Sequence, residues 1–282
     1  MAFQPGPPDQ QRGGGAFSDT AELRLRSTRR RPVVPLLLAL LAVGGLAVAV
    51  IGVRGQLKPR TFSPAQQRRI EAWEVAKRWR TTPKGSLFPA AVSYRLGGST
   101  PAGSSGKGLD LTASRLAIAP QASCATAAGG SAALRGRLAG EGCQALLRST
   151  YVDSTGSLVL TAGIAVLNTK ASAIATAKFL TGGPATGLGG AAKLVLKPFA
   201  VSGSQAASFG FPQRQLSWVV AAGPYLVMAT VAYADGRPRV QVSTDEYLVQ
   251  EMTSFARAVA VRVATPLGAK PPVPRCPGVP SC

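Results

Sequence analysis

The feature that most constrains this chain is a run of 21 residues without a charge, Val33 to Val53 (VVPLLLALLAVGGLAVAVIGV). As an α-helix rising about 1.5 Å per residue it spans about 31 Å, close to the hydrocarbon thickness of a bilayer. A helix in a soluble core is seldom apolar on every side for that length. Pro35 falls in the first turn, where a missing N–H costs little. Gly44 and Gly45 lack the GxxxG spacing of a close helix pair. One membrane span is expected here.

Its orientation follows from the flanks. Arg24, Arg26, Arg29, Arg30 and Arg31 precede the span, while Arg54, Lys58, Arg60, Arg68 and Arg69 follow it, so a bare count ties. The Arg29–Arg31 cluster abuts the apolar run, and the first flank usually dominates the positive-inside bias. The N-terminus is therefore expected in the cytoplasm and the larger C-terminal part outside it. A cleavable leader is the rival reading. Thr28-Arg29-Arg30-Arg31 has a faint twin-arginine form, and Ala47-Val48-Ala49 has the small-x-small form of a cleavage site. Both alanines lie inside the apolar run, which is longer than a leader core, so an uncleaved anchor is expected.

Charge and cysteine usage agree with that placement. The formal net charge is +20, and its densest block is residues 54–84, where nine cations face two carboxylates. A basic block next to a span points first to an anionic membrane surface. Histidine is absent, which excludes Ser-His-Asp and Cys-His nucleophile activation and His-containing zinc sites. The four cysteines, Cys124, Cys143, Cys276 and Cys282, show no CxxC spacing. In an exported domain an even count predicts disulfides. Of three pairings, Cys124–Cys143 with Cys276–Cys282 is preferred because each closes a short loop; four free thiols are the alternative. No cofactor or metal is expected.

The chain divides into a disordered basic tail (1–32), the span (33–53), a basic juxtamembrane helix (54–84), a folded domain (85–265) and a Pro-rich tail (266–282). The juxtamembrane helix starts at Ser63, with Pro64 in its first turn and Gln66 completing a capping box. It places Ile70, Trp73 and Ala76 on one stripe with Trp79 beside it. Arg68, Arg69, Trp73, Lys77, Arg78 and Trp79 are the candidates for contact with a membrane surface. Equally, the tryptophans pack onto the domain and the cations are merely solvated.

Within the domain, Leu87–Leu96 holds a short strand and 97–108 a Gly/Ser loop. Leu109–Ile118 and Ser131–Leu138 each read as helix or strand. Ala145–Val152 and Ser157–Leu167 read as strands joined by the turn Asp153-Ser154-Thr155-Gly156. Thr169–Leu180 reads as a helix closed by Gly182-Gly183. Leu194–Val201 resembles a strand, and Gln215–Ala222 and Tyr225–Ala234 form a pair across Gly223-Pro224. A last helix is capped by Ser243 and Glu246, carries Leu248, Met252, Phe255, Val259 and Val263 on one face, and stops at Pro266. Two strands followed by a helix occur twice, so the expected fold class is α+β: an antiparallel sheet covered by helices on one face.

Chemical motifs are sparse. The stretch Gly182–Gly190 follows a helix instead of a strand and lacks the Gly-Lys-Ser/Thr end of a phosphate loop, so it reads as a flexible loop. Ser104-Ser105-Gly106-Lys107 matches SxxK, but the SDN and KTG elements of serine-lysine acyl enzymes are missing. After residue 84 there are seven carboxylates: Asp110, Glu141, Asp153, Asp235, Asp245, Glu246 and Glu251. Turns and capping account for four of them, and no spacing pairs the other three, Asp110, Glu141 and Glu251. Cations beyond residue 84 are scattered and Trp218 sits in an apolar strand, so no nucleic-acid partner is expected. No catalytic residues are assigned and no enzyme is expected.

Two stretches, TFSPAQQRRIEAWEVAKRWRTTPKGSLFPAAVSYRL and CQALLRSTYVDSTGSLVLTAGIAVLNTKASAIATAKFL, resemble uncharacterised actinobacterial single-pass membrane proteins with an extracytoplasmic domain. The resemblance implies a plasma-membrane location and no activity. The expected function is that of a cell-envelope protein whose partners are the lipid bilayer and either another envelope protein or an anionic wall or lipid polymer. An accessory role in a membrane complex fits this. A ligand-binding or sensing domain with an apolar pocket is the alternative. A wall-modifying enzyme is a third reading, and it requires Asp110 or Glu141 beside another carboxylate in a cleft.

Overall fold

A computed structural model describes residues 62–97, 108–129, 131–184, 186–188, 196–239 and 246–271. These belong to one compact unit, Phe62–Cys282. The span at 33–53, the tail at 1–32, the SxxK match and Cys276–Cys282 lie outside the described residues. Among the described residues no helix is long and apolar enough to cross a membrane.

Helix α1, Pro64–Thr81, begins as its sequence dictates. The Ser63 hydroxyl accepts from the Gln66 amide, and the Gln66 side chain accepts from the Ser63 amide at 2.9 Å, satisfying two donors that a helix start leaves free. The helix turns into the domain: Ile70 is buried, and Val75 and Trp79 pack on the core. After a single turn, α2 (Lys84–Leu87), the chain enters β1, Ala91–Leu96.

Both ambiguous segments resolve through their surroundings. Leu109–Ile118 is a strand, β2, because Leu111 and Ala113 alternate onto the core while β1 and β3 pair with it on either side. Residues 131–138 are helical because Ser131 caps Leu134 at 3.1 Å and Leu134 and Leu138 share one buried face. This helix, α4 (Ala132–Gly140), follows a single turn, α3 (Cys124–Ala127). Cys124 and Cys143 form a disulfide, with Cα atoms 6.3 Å apart, that ties α3 to the entry of β3.

Strands β3 (Ala145–Asp153) and β4 (Leu158–Val166) form the expected hairpin. The Asp153 carboxylate accepts from the amides of Thr155 (3.0 Å) and Leu158 (2.7 Å), and Gly156 takes φ +73°. Helix α5, Lys170–Thr181, is capped by Thr169 and closed by left-handed Gly182. The glycine-rich stretch read as a loop contributes a short strand, β5 (Thr186–Leu188), paired to β6 (Arg214–Ala222). β6 turns at Gly223 into β7, Tyr225–Tyr233. The final helix, α6, spans Glu246–Gly268. Ser243 lies outside the described residues, but Met252, Phe255, Val259 and Val263 are buried on one face as predicted. Pro266 does not stop α6. It sits in the exposed last turns, where the carbonyl it leaves unbonded can face solvent, and the Arg78 guanidinium caps the Pro266 and Leu267 carbonyls at 2.7 and 3.1 Å.

All strand pairs are antiparallel, in the order β1-β2-β3-β4-β7-β6-β5. The α+β class with an antiparallel sheet holds, but the expectation of helices on one face is corrected. β3 and β4 are buried along their whole length on both sides: the outward positions of β4 are apolar or small, and on β3 the outward Arg148 and Thr150 lie under residues 197–199, whose carbonyls they bond. Leu158, Leu160, Ala162, Ile164 and Val166 face α6 and the end of α1, while Ala165 and Leu167 face α3, α4 and α5. The sheet curls round α6, which touches both β1 and β6 although four strands separate them. The two strand-strand-helix units are not a structural repeat. β4 and β7 pair antiparallel, and a rotation exchanging them would put both following helices on one face, whereas α5 and α6 lie on opposite faces.

Residues 196–201 are a second correction: they form no strand. The Lys197 amide donates to the Ala127 carbonyl at 2.9 Å, and most of the other backbone bonds of 196–199 go to side chains standing on the sheet face instead of to a neighbouring strand. The Phe199 amide donates to Thr161 Oγ1 at 2.9 Å, Thr150 Oγ1 donates to the Phe199 carbonyl, and the two hydroxyls meet at 3.1 Å. Thr230 and Arg148 donate to the carbonyls of Leu196 and Lys197 at 3.3 and 3.1 Å. A Cβ at Gly163 would stand 2.6 Å from Leu196 Cδ2, so a side chain there requires the buried Leu196 side chain to shift. The segment is apolar enough to read as a strand, but it is laid over the sheet and stitched down.

Candidate functional site: a cationic groove beside an edge strand

β1 is the outermost strand on its side, and α6 runs beside it. Between them lies an open groove of about 690 Å³ with residues 91–95 as one wall and Ser254, Arg257, Ala258, Val261, Arg262 and Thr265 as the other. The i, i+3/i+4/i+7 periodicity of α6 creates this wall: the core stripe takes Met252, Phe255, Val259 and Val263, leaving Arg257, Val261 and Arg262 exposed. Arg95 adds a third guanidinium and pairs with Asp110 at 3.8 Å. Among the described residues Arg257 and Arg262 make no ion pair, and no carboxylate lines the groove. The surface offers positive charge, hydroxyls and a short apolar strip.

Tyr94 lines the groove yet is 5% exposed and stacks on Phe255, with ring centroids 5.3 Å apart. Its hydroxyl is buried and has no partner among the described residues. Burial, then the charges of Asp153 and Glu251, push its pKa above the ordinary phenol value. Burial and Asp153 likewise push the Glu251 carboxyl up. The fold thus brings Tyr94, Asp153 and Glu251 to one end of the core, a neighbourhood that 98 residues of separation between the two carboxylates hide from the sequence.

The other carboxylates are accounted for locally. Glu141 pairs with Arg137 at 2.9 Å, and Asp235 pairs with Arg237. Asp110 is taken up by Arg95. None of these residues forms a group of three or more acidic or cysteine side chains placed to hold a metal.

The juxtamembrane candidates separate into two sets. Trp79 and Arg78 belong to the domain: the Trp79 amide donates to the Tyr225 hydroxyl at 3.3 Å, and Arg78 holds the end of α6. Arg68, Arg69 and Lys77 are exposed, and the Lys77 ammonium lies 4.0 Å over the half-buried Trp73 ring.

None of Arg95, Arg257 and Arg262 is among the candidates that the sequence singles out. The position of Arg257 and Arg262 opposite the apolar stripe was readable. That β1 is an edge strand, and that α6 lies against it, was not. Comparison with protein-family models, curated proteins and solved structures finds no match to this chain.

Proposed function

We propose that this chain is a plasma-membrane protein, tethered by Val33–Val53 with its N-terminus in the cytoplasm, whose outer domain is a non-enzymatic adaptor that binds another envelope protein in the β1–α6 groove. The observation that carries the reading is the groove itself: open along its length, walled by Arg95, Arg257 and Arg262, and lined by no carboxylate among the described residues. Such a wall attracts an anionic partner and supplies no general base or activated nucleophile. The 21-residue apolar run supports the tether, and the Cys124–Cys143 disulfide supports an oxidising side for the domain. A sensing role is the second reading, because the groove volume falls in the range of small-ligand sites.

The test is photo-crosslinking in intact cells from position 261, in the groove, and from position 249, which is exposed at 38% on the same helix and does not line it. A polypeptide adduct from position 261 and not from 249 supports the adaptor. Adducts to wall polymer or lipid alone, or none at all, refute it. The tether is tested separately: Cys124 and Cys143 should react with an impermeant thiol reagent only after reduction, and full-length protein in the soluble fraction would overturn the membrane assignment.

A further inference from the structure

Backbone register at the edge says more about the partner than charge alone. The Arg115 amide donates to the Ala90 carbonyl at 2.8 Å, and the β1–β2 register pairs Ala91 with Ser114. Ala90 and Arg115 are therefore a hydrogen-bonded pair, and the alternation of an antiparallel ladder makes Val92, Tyr94 and Leu96 the residues bonded to β2. Ala91, Ser93 and Arg95 then carry their N–H and C=O groups outward, into the groove. The Thr112 amide confirms the phase, since it points away from Ser93 and donates to Ser154 Oγ at 3.3 Å. Among the described residues nothing pairs with these three outward amides and carbonyls.

We propose that the groove takes an extended, acidic segment of the partner protein as an added strand on β1. This rests on the reading of the groove as a protein-binding surface. An added strand forms backbone bonds at alternate residues, spaced about 6.6–7 Å apart, which is the repeat that Ala91, Ser93 and Arg95 offer. Its side chains alternate between two faces. One set lies beside Ser93 and Arg95, where a carboxylate competes with Asp110 for the guanidinium. The other set meets Val261, Arg257 and Arg262. Charge excludes two other occupants. A second copy pairing β1 on β1 would crowd six guanidiniums into one groove, and this chain's own tail, 266–282, contains no acidic residue. An anionic polymer satisfies the guanidiniums and leaves the edge amides unpaired.

The experiment uses the full-length protein in detergent micelles and a fluorescein-labelled octapeptide alternating valine and aspartate. Binding should weaken at least about tenfold in the Arg257→Glu/Arg262→Glu variant, whose melting temperature should match the wild type because both side chains are exposed. The same peptide methylated on every backbone amide, with its charge unchanged, should lose at least about tenfold as well. Hydrogen exchange of residues 91–95 should slow when the unmodified peptide binds. Absence of binding, equal affinity of the methylated peptide, or displacement by polyphosphate without any change in exchange at 91–95 overturns strand addition. If position 261 still crosslinks to a polypeptide in cells, the adaptor reading survives that failure. If the crosslink is absent too, both fall.

Discussion

Replacing Thr161 by valine tests how residues 196–199 are held. Thr161 is fully buried in the centre of β4. Its hydroxyl accepts from the Phe199 amide at 2.9 Å and lies 3.1 Å from Thr150 Oγ1. Because Thr150 donates its proton to the Phe199 carbonyl, Thr161 must donate to Thr150, and the bonds close into a ring through Phe199. Valine keeps the shape and breaks two of the three bonds, leaving a part-buried N–H without that acceptor. An unsatisfied buried donor costs about 1–3 kcal/mol and the second bond about 1 kcal/mol more, so the expected loss is about 2–4 kcal/mol. For a domain of this size that lowers the melting temperature by roughly 5–15 °C. Thr150→Val should cost less, because a carbonyl tolerates loss of one partner better than an amide does. The double variant should cost less than the two single effects added, since they share one ring. Thr176→Val is the control: among the described residues its hydroxyl bonds only to the Ser172 carbonyl one helical turn back. Melting followed by tryptophan fluorescence in detergent micelles measures all four, and limited proteolysis reports on residues 196–211. A Thr161→Val protein within about 0.5 kcal/mol of wild type, with no new cleavage in that segment, would falsify the account.

Other consequences are as direct. Cys124→Ser/Cys143→Ser opens a loop with a sequence separation of 19 and should cost about 3 kcal/mol by loop entropy, read as a lowered melting temperature that reductant lowers no further. Arg78→Ala should destabilise by about 1.5–3 kcal/mol because two α6 carbonyls lose a charged donor, whereas Lys77→Ala should leave melting unchanged and weaken only co-sedimentation with anionic vesicles. Glu251 has a pKa raised by folding, so its ionised form opposes the native state. That opposition is full above the folded value, shrinks as pH falls through it, and is gone below the ordinary carboxyl range. Melting curves of Glu251→Gln should therefore show the variant gaining on wild type at neutral pH and the difference vanishing near pH 4.

What the sequence determined by itself is what short-range chemistry encodes. The Ser63–Gln66 capping box, the Asp153–Gly156 and Gly223-Pro224 turns, the spacing of four and three along α6, and the preference for the short Cys124–Cys143 loop each depend on residues close in the chain, and each has its place in the structure. Segments 109–118 and 131–138 stayed ambiguous because short apolar runs fit either period, and pairing partners far along the chain settled them. Residues 194–201 misled because apolar composition does not reveal that backbone bonds go to threonines 150, 161 and 230. Which strand lies at the edge, that β4 pairs with β7, and that helices cover both faces are long-range choices. They are made when a sheet apolar on both sides buries each face against whichever helix can reach it. The groove exists only as their consequence: three arginines spread over 168 residues converge because β1 ends the sheet where α6 passes.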